Sequence, residues 1–244
     1  MIDWHSRFLQ QAGWTKPLRD YLFHQVGIDR LSRVLEVGCG TGAILQSLPS
    51  FLPLFGLDLD RNRLEEAHLH ACRASLVCGD AHSLPFAAGS FDVTFCHFLL
   101  LWVKNPLLVL QEMKRLTRQG GAVLALAEPD YSHRVDLPDA LILPGRLQAE
   151  SLSRQGADVS LGARLADLFQ EAGIQVKESG ILQGTGLTPP DLSEWEKEWD
   201  VLEADLQGFL QPRELAEYKA LDRKARLDGS RVLFVPTYFA FGLV

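Results

Sequence analysis

Positive charge is the scarcer sign in this chain of 244 residues: 24 Lys and Arg stand against 31 Asp and Glu, a formal net charge of −7. That balance speaks against broad contact with a phosphate backbone, which needs a basic face, so no nucleic-acid partner is expected. Cysteine is also sparse. The four residues Cys39, Cys72, Cys78 and Cys96 form no C-x-x-C pair and no Cys/His cluster of zinc spacing. They read as reduced, buried thiols, and no metal is expected. No apolar run approaches a membrane span, and the opening MIDWHSRFLQ is too mixed for a signal peptide. Internal repeats, low-complexity tracts and flexible linkers are absent as well. The expectation is one cytoplasmic domain, with a 47% hydrophobic content that supports a sizeable core.

What is present is an alternating rhythm. Residues 3–26 read as helix in two pieces, with Trp4, Phe8 and Gln11 on one face and Leu18, Leu22 and Val26 following. Short apolar runs at 34–37, 53–58, 74–78, 91–96 and 122–127 read as strands. Helices are expected between them at 43–48, 61–72 and 106–118, with Asp60 as a cap and Pro106 in a first turn. Strands alternating with helices imply a parallel sheet covered on both faces. Further on, 160–172 reads as a helix stopped by Gly173, and 174–182 as a sixth strand. Residues 189–228 read as inserted helices with the stripe Leu192, Trp195, Trp199, Leu202 and Leu206. The closing RVLFVPTYFAFGLV reads as a strand interrupted by Pro236.

The segment VLEVGCGTG stands at the end of the first strand, where ligands bind in such sheets. Gly38, Gly40 and Gly42 permit positive φ and a close backbone approach. Their G-x-G-x-G spacing differs from the G-x-G-x-x-G of dinucleotide loops. Glu36, just before the loop, would repel a phosphate and suits a cationic, donor-rich ligand. Asp58 ends the second strand, where an acid accepts from ribose hydroxyls. Asp80, after the third strand, suits an exocyclic amine of adenine, with Ala81 and His82 along the ring edge. A ribose, a purine and a cationic head, without pyrophosphate, is the implied ligand. Blander readings stand beside these: Asp58 as a strand-end carboxylate, Asp80 as the cap of an 81–84 turn, and Cys39 as a small packing residue.

VLEVGCGTG, GLDLD, GDAHSLPFAAGSFDVTFCHFLLLWV and GAVLALAEPD together resemble the successive motifs of class I S-adenosylmethionine-dependent methyltransferases. The small-molecule branch that includes ubiquinone and menaquinone biosynthesis enzymes is the nearest flavour, and the motifs cover roughly residues 30–130. The resemblance implies an α/β, Rossmann-like, doubly wound sheet of seven strands, mostly parallel with a reversed last strand. Residues 1–30 would be a helical cap, 31–130 the cofactor-binding core, and 131–160 and 185–229 helical substrate-side insertions. It implies S-adenosyl-L-methionine as cofactor and S-adenosyl-L-homocysteine as product. Glu36, Gly38, Cys39, Gly40 and Gly42 would hold the methionine end, Asp58 and Leu59 the ribose side, and Asp80, Ala81 and His82 the adenine. Cys96 and His97 would lie beside the sulfonium.

Methyl transfer from a sulfonium needs positioning and desolvation more than a fixed catalytic triad. A general base helps with phenol, alcohol or ammonium acceptors. His97 is the leading candidate, against a plain helix-start role, with Glu128, Asp130, Tyr131 and His133 behind it. Trp195 and Trp199 either line an apolar acceptor pocket or form the buried stripe of their helix, and the stripe is favoured. Arg134, Arg146 and Arg164 are read as solvated rather than as anchors for an acidic substrate. The expected partner is a small methyl acceptor of aromatic or partly hydrophobic character. Rival readings are a non-catalytic module of the same fold, a nicotinamide-dependent oxidoreductase and a protein methyltransferase.

Overall fold

A computed structural model describes residues 3–182 and 192–244. Strands β1 (Val34–Val37), β2 (Leu54–Asp58), β3 (Ser75–Cys78), β4 (Phe91–Cys96) and β5 (Thr117–Pro129) run parallel. After a short strand β6 (Val135–Leu137) come β7 (Gln175–Ile181), β8 (Val232–Phe234) and β9 (Thr237–Leu243). The main sheet has seven strands in the order β3-β2-β1-β4-β5-β9-β7, and β9 is antiparallel to both its neighbours. This is the expected α/β architecture with its reversed last strand. The order places a switch point between β1 and β4, where the chain leaves one side of the sheet for the other. A crevice opens at the carboxyl ends of strands flanking such a point.

Alternation along β1 sends Leu35 and Val37 to one face of the sheet and Val34 and Glu36 to the other. Leu35 and Val37 join the core packed under α3 (Pro106–Leu116) and α5 (Leu165–Glu171). Val34 joins the opposite core, under α1 (Trp4–Val26) and the N-terminal part of α2 (Arg61–His70). Glu36 therefore points toward α1. That helix starts at Asp3, whose carboxylate accepts the Ser6 N–H at 3.0 Å, and stops at Gly27 in the left-handed region. It is one continuous helix containing Pro17, not two pieces. Its buried face is Ala12, Thr15, Arg19, Leu22 and Phe23, and Trp4 is exposed. Only the middle and end of α1 lie on the sheet; its first turns pass over the glycine loop.

Several local expectations change. The helix expected at 43–48 is a single 3-10 turn, Leu45–Ser47. Between β1 and β2 the chain must fit the glycine loop and the return path, and Pro49 and Pro53 punctuate what is left. Gly120 and Gly121 lie inside β5 rather than ending α3, which stops at Leu116. A Cβ on Gly121 would stand 2.6 Å from the Asp92 carbonyl oxygen, so the strand there admits only glycine without a shift. The helix read at 160–172 opens with a 3-10 turn, Gly162–Arg164. The closing strand is split at Pro236: β8 leaves to pair with β6 in a separate ribbon, and β9 enters the main sheet. Cys39 and Cys96 are buried as read, but Cys72 and Cys78 are exposed. They lie after α2 and on the edge strand β3, where less covers the sheet.

The accessory layer consists of α4 (Ile142–Arg154), α6 (Leu192–Leu206), α7 (Pro212–Leu227) and the β6–β8 ribbon. Pro144 falls in the first turn of α4 and does not break it. The inserted helices expected from 185 onward are described from 192; the part before lies outside the described residues, as does the side chain of Leu192. Buried Asp222 joins the layer. It accepts the indole N–H groups of Trp195 (2.6 Å) and Trp199 (2.9 Å) and the Arg226 guanidinium (3.1 Å), and it pairs with Arg231. Arg231 also reaches Asp136 at 2.8 Å, and Asp136 binds Arg134 at 2.6 Å. The two tryptophans are thus the buried stripe of α6, and Arg134 is paired rather than solvated.

Candidate active site

The glycine loop hooks over β2. The Gly38 and Cys39 N–H groups both donate to the Leu57 carbonyl, at 2.7 and 3.0 Å. Gly38, Gly40 and Gly42 all have positive φ, between 51° and 76°. A Cβ on Gly38 would meet the Leu99 side chain at 2.7 Å, and one on Gly42 would meet Ala71 Cβ at 2.8 Å. Conformation and space both demand glycine here. The Cys39 thiol points back toward Gly56 in β2 and is a packing group. Its burial, with Glu36 and Asp58 nearby, pushes the thiol far up, so it carries no thiolate.

Asp58 is bound to the loop it faces. Its Oδ2 accepts the Gly40 N–H at 2.7 Å and its Oδ1 the Asp60 N–H at 2.9 Å. Each oxygen keeps a second lone pair for a further donor. Leu59, next in the chain, is exposed above the strand end. Asp80 caps the following turn: its Oδ1 accepts the His82 N–H at 2.9 Å and lies 2.7 Å from His82 Nδ1. His82 Nε2 accepts the Asn105 N–H at 3.2 Å, which places the ring proton on Nδ1. The capping reading of Asp80 is therefore correct as to geometry, while its second oxygen stays open. Ala81 is buried beneath this turn.

Glu36 is 3% exposed, and its Oε2 has no hydrogen-bond partner among the described residues. Burial holds its carboxyl well above the usual range, opposed by the field of Arg19. Arg19, on α1, is 2% exposed. It donates to the Ala12 carbonyl (3.2 Å), Thr15 Oγ1 (3.4 Å) and Ser47 Oγ (3.3 Å), and its Nε has no partner among the described residues. A buried carboxylate and a buried guanidinium, each one bond short, thus lie on the loop side of the sheet. Such groups cost free energy unless something completes them.

At the end of β4, Cys96 is fully buried and its thiol is pushed well up by burial. His97 Nε2 lies 3.1 Å from Thr15 Oγ1 on α1. Burial, helped by the Arg19 charge, pushes the imidazole down to about 3, so the ring is neutral at physiological pH. Phe98 follows with φ +51°, the one non-glycine residue with positive φ among those described. The next three amides, of Leu99, Leu100 and Leu101, converge on the Glu128 carboxylate at 2.9–3.1 Å. Burial nevertheless pushes Glu128 up to about 7. Glu128, one of the expected base candidates, clasps the turn after β4. Asp130 is likewise engaged, by the Ser132 N–H and hydroxyl, with His133 Nδ1 3.2 Å away. The Tyr131 phenol is raised by burial, with the charges of Arg134 and Arg7 opposing.

The first turns of α1 close over the loop. The Phe8 ring lies 3.2 Å from where a Gly40 Cβ would stand, and His5 Nδ1 is 2.8 Å from Thr41 Oγ1. The segment Trp4, His5 and Arg7 reads from sequence either as a lid over the cofactor or as a plain packing helix, whereas Phe8, Thr15 and Arg19 were not legible as site residues. Arg19 alone left a trace in the sequence, a charge at the heptad-like spacing of the buried face.

Comparison with known proteins identifies the family. Residues 35–125 match the methyltransferase domain family. A demethylmenaquinone methyltransferase of Staphylococcus haemolyticus is 31% identical over 186 residues, which is 68% of this chain and 76% of that protein. The chain belongs to the class I methyltransferases. An uncharacterized methyltransferase of Schizosaccharomyces pombe is 26% identical over 64% of this methyltransferase, which spans only 59% of that relative's length. The fold is shared with a phosphoethanolamine N-methyltransferase 2 of Haemonchus contortus, whose structure holds S-adenosylhomocysteine: TM-score 0.59, 19% identity, 91% of this chain and 51% of that one. The matched segment contains the glycine loop, Asp58, Asp80 and His97. No described helix is long and apolar enough to cross a membrane.

Proposed function

We propose that this methyltransferase delivers the methyl group of S-adenosylmethionine to a small-molecule acceptor. The observation that carries the reading is the incomplete pair behind the glycine loop, Glu36 Oε2 and Arg19 Nε. An amino-acid end brings an ammonium and a carboxylate, which are the complements of a buried carboxylate and a buried guanidinium. The spare lone pairs of Asp58 suit ribose hydroxyls, and the open oxygen of Asp80 suits an adenine amine. The residues present fit the cofactor.

Bound S-adenosylmethionine would supply an already activated methyl on a sulfonium. What remains for the chain is to hold, orient and dry the reacting pair. The glycine loop offers backbone without side chains, and α1 covers it from above. His97, neutral and bonded to Thr15, is proposed as a positioning group rather than a general base, because an imidazole with a conjugate acid near 3 takes up protons poorly at neutral pH. An aromatic, partly apolar acceptor accords with the demethylmenaquinone methyltransferase relative.

Calorimetry with S-adenosylmethionine and S-adenosylhomocysteine tests the cofactor, and labelled-methyl transfer to a panel of phenols and quinols tests the acceptor. Saturable binding of both ligands is expected. Absence of binding at millimolar ligand sinks the reading. Binding without transfer to any acceptor would favour a non-catalytic module.

A further inference from the structure

We propose that His5, Glu66 and His70 form a site for one divalent transition-metal ion of the zinc class, and that the ion ties the first turn of α1 to α2. One ligand atom from each residue lies within 4.8 Å of the other two. Glu66 and His70 stand at i and i+4 on one face of α2, with Glu66 Oε1 4.0 Å from His70 Nε2. His5 arrives from α1, its ring stacked on that of His70 at 3.5 Å between centroids and 9° between planes.

The tautomer of His5 suits a ligand. The Gln46 amide nitrogen, 3.4 Å from His5 Nε2, can only donate. Nε2 therefore carries the lone pair, which accepts the long Gln46 contact that an ion would displace, and Nδ1–H donates to Thr41 Oγ1 at 2.8 Å. A metal-bound histidine is held in the same way, by an acceptor on its other nitrogen. Two imidazoles and one carboxylate are a donor set for zinc, cobalt or nickel and not for calcium or magnesium. Tetrahedral zinc separates its nitrogen ligands by about 3.3 Å, given bonds of about 2.0–2.1 Å. Ring rotations of half-exposed side chains close the remaining gap, and water takes the fourth position. Three residues farther along α1, Phe8 lies on Gly40, so an ion here fixes the helical turn that covers the glycine loop.

The test is zinc titration by calorimetry, with cobalt absorption as an optical probe, on the full chain and on Glu66→Gln and His70→Gln. Both side chains are partly exposed, and circular dichroism checks that the variants fold. The expected result is one ion per chain at micromolar affinity or tighter, weakened at least about tenfold by either substitution. Amide hydrogen exchange across residues 4–12 should slow with zinc in the wild type and not in His70→Gln. The proposal is overturned if the wild type shows neither binding heat nor a cobalt spectrum. It is also overturned if His70→Gln binds as tightly as wild type, which would assign the ion to another group such as the exposed Cys72 or Cys78 thiol.

Discussion

Asp58 Oδ2 holds the Gly40 N–H at 2.7 Å, so the acid at the end of β2 fixes the glycine loop before any ligand arrives. A hydrogen bond to a charged acceptor contributes roughly 1.5–3 kcal/mol. Asp58→Ala should therefore weaken S-adenosylmethionine binding by about ten- to a hundredfold through the loop alone, and more if the ribose contact is lost too. Calorimetric affinities of the two proteins measure this. Equal affinities would remove Asp58 from the site.

Arg19 and Glu36 make a pH-dependent pair. Removing one member of a buried charged pair costs about 3–5 kcal/mol when the other stays ionised. The Glu36 carboxyl is raised in the folded protein above its unfolded value, so it destabilises the fold progressively as pH rises through that raised range. Without the guanidinium this cost grows. Arg19→Met should lose more stability at alkaline than at acidic pH, because protonation of Glu36 relieves the uncompensated charge. Urea unfolding at one alkaline and one acidic pH gives the answer, and a loss independent of pH would contradict it.

Glu128 supplies a second pH effect. Its pKa rises from 4.5 in the unfolded chain to about 7 in the fold. Stability from this group is full below pH 4.5 and is lost as pH climbs through 7, by about 3 kcal/mol at 1.36 kcal/mol per unit. Glu128→Gln abolishes that slope while presenting an amide N–H to one of the three backbone donors. The stability difference between wild type and variant should therefore be largest at pH 4.5 and shrink by pH 8. A constant difference would show that Glu128 titrates normally.

For His97, the neutral ring sets the expectation. Its conjugate acid near 3 lies outside any practical assay range. His97→Gln should lower kcat or raise KM without moving the pH profile between about 5.5 and 8. An inflection near pH 6.5 that disappears with the substitution would restore the general-base role.

Asp222→Ala should loosen the accessory layer. The carboxylate serves two indoles and two guanidiniums, and its loss strands four buried or half-buried donors. A destabilisation of about 3–5 kcal/mol is expected. Tryptophan emission should shift to the red as Trp195 and Trp199 lose their enclosure. Unchanged emission and melting would mean that the layer is held elsewhere.

Much of the cofactor side was legible because its elements are local. Each strand end, its glycines and its acid lie within a few residues of one another, and β1, β2 and β4 appear close to where periodicity puts them. Misreadings cluster where a neighbour distant in sequence decides. Helix α1 is continuous through Pro17 rather than two pieces, because its middle and end pack on the sheet. Cys72 and Cys78 are exposed because β3 is an edge strand.

The sequence by itself determined the parallel α/β core, the glycine turn and the order of acids along its strand ends, since strand alternation and positive φ are properties of short stretches. Tertiary structure alone decided what surrounds Glu36. Arg19, Thr15 and His97 meet there because α1 crosses the face to which β1 turns its first and third residues, Val34 and Glu36. The cost of burying charge depends on which groups share the same low-dielectric space, and that is set by packing between segments far apart in the chain.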